Sequence, residues 1–161
     1  MKLYNTVLST LTTLSLYTDD SGLDGHIGAA VVVPQMSYTR QAYLGSDKAA
    51  TVYYGELTVM EMAIDLLQQL QKRIDTLPST EQRYKDTVIF TDSQTAIQAL
   101  GQPDRRPSGQ AALRRVIEML HKFPTTFPMT IRWIPAHIGI AGNEAADKAA
   151  KEAAKDKGES L

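Results

Sequence analysis

Two stretches of this sequence end alike. LSLYTDDS (14–21) and TVIFTDSQ (87–94) are each a strand-forming run that closes on aromatic-Thr-Asp. Side chains alternate between the two faces of a strand. Tyr17 therefore shares a face with Asp19, Thr18 shares the other with Asp20, and Phe90 shares a face with Asp92. If the two strands lie side by side in parallel, Asp19 and Asp92 converge at their C-terminal ends, where ligands of α/β sheets commonly bind. Asp20 then points away. Asp-Asp-Ser-Gly also has the composition of a hairpin corner, so the pair is either a turn or one corner of a metal site.

Two further acids bear on that choice. Glu56, in YYGELTVMEMAI, shares a helix face with Met60, Ala63 and Leu67. A carboxylate on an inward face is costly unless a cation or a donor meets it. Glu61 lies five residues on, about 140° round the helix, and is expected in solvent. Asp147, in GNEAADKAA, stands one turn beyond Asn143 near the start of the last helix. Each acid alone suits a solvated face or a cap. Four at the ends of elements able to converge suit a cation site.

The elements that must position them follow from patterning. Residues 11–19, 26–33 and 37–45 read as strands joined by the short SGLDG and PQM connections, an antiparallel meander. A helix is expected over 50–73, with Leu57, Met60, Ile64 and Leu67 at helical spacing and Pro78 closing the region. TVIFTD (87–92) is a strand and SQTAIQALG a short helix ending at Gly101. The loop QPDRRPS offers Ser108 as a cap for the helix GQAALRRVIEMLHKF. MTIRWIPAH (129–137) is the fifth strand, with Trp133 read as core, and an Ala-rich helix begins near Gly142. The order β-β-β-α-β-α-α-β-α implies an α/β fold, a mixed sheet covered by helices. No repeat, low-complexity segment or linker divides the chain, so residues 1–161 are expected to form one domain.

Composition narrows the classes. The 161 residues suit one core, and 43% apolar with 22% charged content is that of a globular chain. The absence of cysteine excludes disulfide scaffolds, thiolate zinc sites and cysteine nucleophiles. No run reaches the roughly 18 apolar residues that span a membrane, and TVLSTLTTLSL, broken by Thr and Ser, reads as a lead-in to a strand. Net charge is −1, but residues 1–100 carry −4 and residues 101–161 carry +3. An acidic spot beside a mildly basic half suits metal ions that bridge protein and phosphate.

Taken together, YTDDSG, GEL, FTDSQ and WIPAHIGIAGNEAADKAA, in this order and at these separations, resemble the ribonuclease H (type 1) domain over about residues 14–155. RRPSGQ and WIPAHIGIAGNEAAD resemble in particular the domains of fungal LINE-type retrotransposon reverse transcriptase polyproteins. The resemblance implies a five-stranded mixed sheet, a three-strand antiparallel meander plus two parallel strands, with helices on both faces. It implies an endonuclease that cuts the RNA strand of RNA–DNA hybrids, with Asp19, Glu56, Asp92 and Asp147 holding two Mg²⁺ ions that Mn²⁺ can replace. By analogy Asp19 bridges both ions, Asp147 serves the one that activates water, and Glu56 and Asp92 serve the one at the leaving oxygen. Two such ions, about 3.5–4 Å apart, clamp both oxygens of an in-line displacement. His137 matches a mobile-loop position that assists proton transfer or product release. Glu144 matches an acid that tunes the site, and Gln94 one that touches the hybrid's minor groove. Ser21, Asn143 and Thr51 are candidates for sugar or phosphate contact, and Arg105 and Arg106 for backbone phosphate. With the four site acids set aside, the net charge becomes +3, suited to a polyanion.

The sequence also departs from that family. Asp20 stands where Gly or Ala is usual, adding charge beside the site that is expected to weaken substrate binding or raise the metal requirement. Pro135-Ala136 replaces the Gly that often precedes the histidine, which alters loop mobility. The basic, tryptophan-bearing handle of some members is missing, so hybrid binding is expected to be weak and salt-dependent. That favours a domain normally tethered to a reverse transcriptase polypeptide, where effective concentration replaces affinity. The lack of cysteine is compatible with an intracellular location, in cytoplasm or nucleus, and the isolated domain is expected to be monomeric. The alternative is a weak or inactive copy that binds nucleic acid or packs in a larger polymerase; the four filled acidic positions argue against it. A third reading keeps the fold but assigns the reaction of a transposase, integrase or exonuclease, against which the His-loop-GNEAAD ending argues. His26 is expected to be structural, and His121 to complement a helix dipole.

Overall fold

The protein is described by a computed structural model covering residues 12–48, 52–102, 110–124 and 126–156. Thr51, Arg105, Arg106 and Ser108 lie outside these residues.

Strands β1 (Thr13–Leu23), β2 (His26–Val33) and β3 (Tyr38–Ser46) form the expected antiparallel meander. β1 is longer than the pattern suggested. Asp24 and Gly25 both take positive φ, 50° and 80°, which makes a tight two-residue hairpin turn and lets pairing run on through Ser21, Gly22 and Leu23. Asp19 and Asp20 are thus not a corner; they sit inside a paired strand. Helix α1 (Val52–Asp75), strand β4 (Asp86–Thr91), helices α2 (Gln94–Gly101) and α3 (Gln110–Lys122), strand β5 (Met129–Trp133) and helix α4 (Ala141–Lys155) complete the order. The sheet runs β3-β2-β1-β4-β5, with β1, β4 and β5 mutually parallel. β5 ends four residues short of expectation. Ile134 N–H still reaches Thr91 O at 2.9 Å, but Pro135 has no N–H to carry the ladder further.

Alternation along the strands divides the core in two. Leu14, Leu16, Val31 and Ile89 meet Met60, Ala63, Ile64 and Leu67 of α1 on one face. Tyr17, Val32 and Phe90 meet Ile140 and Ala146 on the other, where Ala30 also packs on Ala149 and Ala150 of α4. β1 and β4 register as Tyr17↔Phe90 and Thr18↔Thr91, with the two rings stacked at 4.9 Å between centroids. Buried threonines add side-chain ties across that pair: Thr18 Oγ1 donates to Phe90 O at 3.0 Å and Thr87 Oγ1 to Leu14 O at 2.9 Å.

How close α4 can lie on the sheet is set at Gly28. A Cβ there would overlap Ala150 O and Ala154 N, atoms of the helix backbone that cannot swing aside as a side chain would. Gly28→Ala is therefore expected to lower stability by about 3 kcal/mol, the upper part of the range for overpacking, read as a lower midpoint in urea. An unchanged midpoint would show that the helix and sheet separate freely.

Candidate active site

The ladder between β1 and β4 stops at Thr18↔Thr91, so the next residue on each strand, Asp19 and Asp92, emerges at the same level. They follow Tyr17 and Phe90 on the face covered by α4. Burial pushes Asp19 up to about 8, and the charges of Asp92, Asp20 and Asp147 add to the rise. Asp92 is also raised by burial, but the Asn143 side chain donates to it and the charge of His137 favours its ionised form. Asn143, in the first turn of α4, is 2% exposed, and its Oδ1 has no hydrogen-bond partner.

Glu56 approaches from the α1 side. Burial raises its pKa, while a hydrogen bond from Ser93 opposes the rise. Ser93 is the N-cap of α2, its Oγ accepting from Ala96 N–H at 3.0 Å, so one hydroxyl both starts a helix and holds a site acid. Asp20 is on this side too. It does face away from Asp19's side of the sheet, but not out of the site. Its Oδ2 lies where a Cβ on Gly55 would be, and burial with the charges of Glu56 and Asp92 lifts it to about 7. The glycine before Glu56 thus makes room for the unexpected aspartate.

Asp147 lies nearly two turns into α4, one turn beyond Asn143, and pairs with Lys151, Nζ to Oδ2 at 2.6 Å. That carboxylate raises the Lys151 pKa, with smaller contributions from Asp19 and Glu144. His137 is exposed in the loop after β5, with φ of 57°, a left-handed backbone uncommon outside glycine. Gln94 is exposed at the start of α2, and Ser21 is half-buried in β1. Asn143 differs from its expected role: a side chain this buried offers no surface to a sugar, and it orients Asp92 instead. Trp133 also differs. It is 40% exposed on β5, the edge strand of the sheet, and its Nε1–H donates to Asp92 O at 3.1 Å. Glu61, expected in solvent, is half-buried and within 3.5 Å of Arg115 Nε on α3. Away from the site, His26 Nδ1 shares a 2.7 Å hydrogen bond with Tyr43 OH, and His121 lies in the last turn of α3.

Three contributors were missed from sequence: Ser93, Lys151 and Trp133. The first two carried a signal, a serine opening a helix and a lysine at i+4 from an acid. Trp133 carried none, because edge position depends on strand order.

The family model for RNase H matches residues 12–155. The chain belongs to the RNase H family. Among solved structures it resembles RNase H1 from the halophilic archaeon Halobacterium salinarum, at 20% identity and a TM-score of 0.59 over 89% of this chain and 98% of that one. It also resembles an RNase H1 isolated from compost by a metagenomic approach, at 17% identity and a TM-score of 0.65 over 90% of this chain and 97% of that one. At these identities the structural likeness speaks for the fold: a five-stranded mixed sheet with helices on both faces.

RNase H proteins are nucleases that act on RNA–DNA hybrids and generally use divalent metal ions. The residues here fit such ions. Asp19, Glu56, Asp92 and Asp147 present hard oxygen donors, and the first three have their pKa values raised chiefly by burial, with neighbouring acids adding to the rise. Among the described residues, no three His, Asp or Glu side chains are grouped closely enough to hold a metal ion, so the fit rests on the chemistry of the donors.

The strain has a sign that can be measured. Unfolded aspartates release their protons near pH 4, whereas folded Asp20 and Asp19 keep theirs up to about 7 and 8. The folded state of this RNase H domain therefore holds more protons across that window, so stability is full below about pH 4 and is lost as pH rises through 7 and 8. In chelator, the melting temperature is expected to be lower at pH 8.5 than at pH 5 by about 5 °C, and Asp19→Asn to flatten the slope. Mg²⁺ should raise the midpoint at high pH and do little at low pH, where protons occupy the ligands. A melting temperature that rises with pH in chelator would contradict this.

Proposed function

We propose that the chain is an endonuclease that hydrolyses the RNA strand of RNA–DNA hybrids, with two Mg²⁺ ions held by Asp19, Glu56, Asp92 and Asp147. The observation that carries this reading is the meeting of Asp19 with Asp92 at the end of the β1–β4 ladder, with Asp147 and Glu56 approaching from opposite faces. When bound, the ions, for which Mn²⁺ can substitute, supply activation of a water and stabilisation of the charge on the leaving oxygen.

The protein's own residues divide the remaining work. Asp19 would serve both ions, Asp147 the one that activates water, and Glu56 and Asp92 the one at the leaving oxygen. Asn143 and Ser93 hold Asp92 and Glu56 in orientation. Lys151 restrains Asp147, and Glu144 tunes that ion pair. His137, exposed beside Asp92, passes a proton to the departing oxygen or helps release product. Gln94 contacts the minor groove, where 2′-hydroxyls distinguish RNA from DNA, and Ser21 and Thr51 contact sugar or phosphate. The short span from Gly101 to Gln110 supports a domain without a basic handle, working inside the cell as part of a retroelement reverse transcriptase polypeptide and monomeric when isolated.

The test compares an RNA–DNA hybrid, double-stranded RNA and double-stranded DNA, each with and without Mg²⁺. Only the hybrid, and only with metal, should be cut. Asp19→Asn and Asp92→Asn should each reduce the rate by more than about a hundredfold, beyond what losing an outer partner of a metal ligand typically does. Asp20→Gly should retain cleavage. Cutting by Asp92→Asn at the parent rate would sink the assignment, and loss of activity in Asp20→Gly with retention in Asp19→Gly would mean the register is off by one.

A further inference from the structure

Six large apolar side chains are exposed among the described residues: Tyr38, Val52, Tyr54, Leu77, Trp133 and Ile138. Four of the six lie within a few residues in sequence of a site residue or bond to one. Val52 and Tyr54 open α1, just before Gly55 and Glu56; Ile138 follows His137; Trp133 ends β5 beside Asp92. Apolar side chains left this exposed next to acidic residues are poorly accounted for by core packing alone. They match a ligand whose charge meets the acids through cations while its apolar faces lie on these side chains. In a nucleic acid those faces are sugars and bases.

We propose that Trp133 is the stacking platform of the substrate cleft, packing its indole against the sugar or base face of the RNA-strand nucleotide that adjoins the scissile phosphate. The inference rests on the hybrid-nuclease reading above. Three observations support it. The ring is 40% exposed on the last strand of the sheet. Its one polar atom is already used, Nε1–H donating to Asp92 O at 3.1 Å, which fixes the ring before substrate arrives and spares the ordering cost of a mobile side chain. That hydrogen bond also ties the platform to the backbone of a residue at the reacting phosphate, so the nucleotide next to that phosphate is the one within reach. The chain lacks a tryptophan-bearing handle and has one tryptophan in all, so this ring is its sole indole for nucleotide contact.

Stacking on an aromatic side chain is typically worth enough to change affinity by tenfold or more. In steady-state cleavage of a hybrid with Mg²⁺, Trp133→Ala should raise KM by about tenfold and leave kcat within about twofold. Trp133→Phe keeps a ring but not the N–H, and should recover most of the loss. The single tryptophan gives a second readout: in Asp19→Asn protein, which holds hybrid without cutting it, hybrid should quench the indole emission. If Trp133→Phe is as impaired as Trp133→Ala and the loss falls on kcat, the residue acts only by holding Asp92, and the platform is overturned. A parent-like KM in Trp133→Ala, or unchanged emission while labelled hybrid binds, overturns the platform and leaves the nuclease reading intact. A parent protein that neither cuts nor binds hybrid overturns both.

Discussion

The parallel pairing of β1 with β4 is the constraint on which the site depends. The pairing is non-local, joining residues more than 70 apart in sequence, and its register cannot slip by one without sending Asp19 to the wrong face. Stacking of Tyr17 on Phe90 and the threonine ties from Thr18 and Thr87 fix that register from both sides of the sheet. The same residues that fill the core therefore bring the two aspartates level. A ladder that ended one residue later would pair Asp19 with Asp92 through their backbones and leave less freedom for their carboxylates; it ends at Thr18↔Thr91 because Ser93 starts a helix.

Around that meeting point the protein gathers acids that are costly to ionise. Asp19 and Asp20 are held far above the ordinary carboxylate range by burial and by neighbouring acids. What offsets this is modest: Asn143 on Asp92, Ser93 on Glu56 and Lys151 on Asp147. For Asp19 and Asp20 the main counterweight is a backbone hydrogen bond from Asp20, too little to offset their burial. Burial and repulsion are thus strongest where both strands end, the point that the proposed reading assigns to the metal ions.

Much of this was legible in the sequence because it depends on alternation and spacing. The element order, the faces of Tyr17, Asp19, Phe90 and Asp92, and the inward turn of Glu56 all follow from periods of two and 3.6. What was not legible depends on contacts between distant elements. The length of β1 turned on Asp24-Gly25 rather than on Asp20-Ser21-Gly22, and a sequence rich in turn residues offered both. The burial of Asn143 depended on how deeply α4 settles onto the sheet, which Gly28 decides from another element. Trp133 looked like core because aromatic residues in strands usually are; only the order β3-β2-β1-β4-β5 puts its strand at the edge.

Asp20 shows how these levels interact. On its own strand it is a residue pointing away from the site. The long helix that covers its face begins at the same end of the sheet, however, so pointing away from Asp19 means pointing toward Glu56. A carboxylate fits there only because Gly55 has no side chain, and a helix-interior glycine costs about 1 kcal/mol relative to alanine. Asp20 and Gly55 are therefore one feature spread over two elements: filling Gly55 with a methyl group forces the Asp20 carboxylate to move, while shortening Asp20 leaves a gap against the helix. An acid that strand alternation alone would place outside the site is brought back to it by the helix that covers the opposite face.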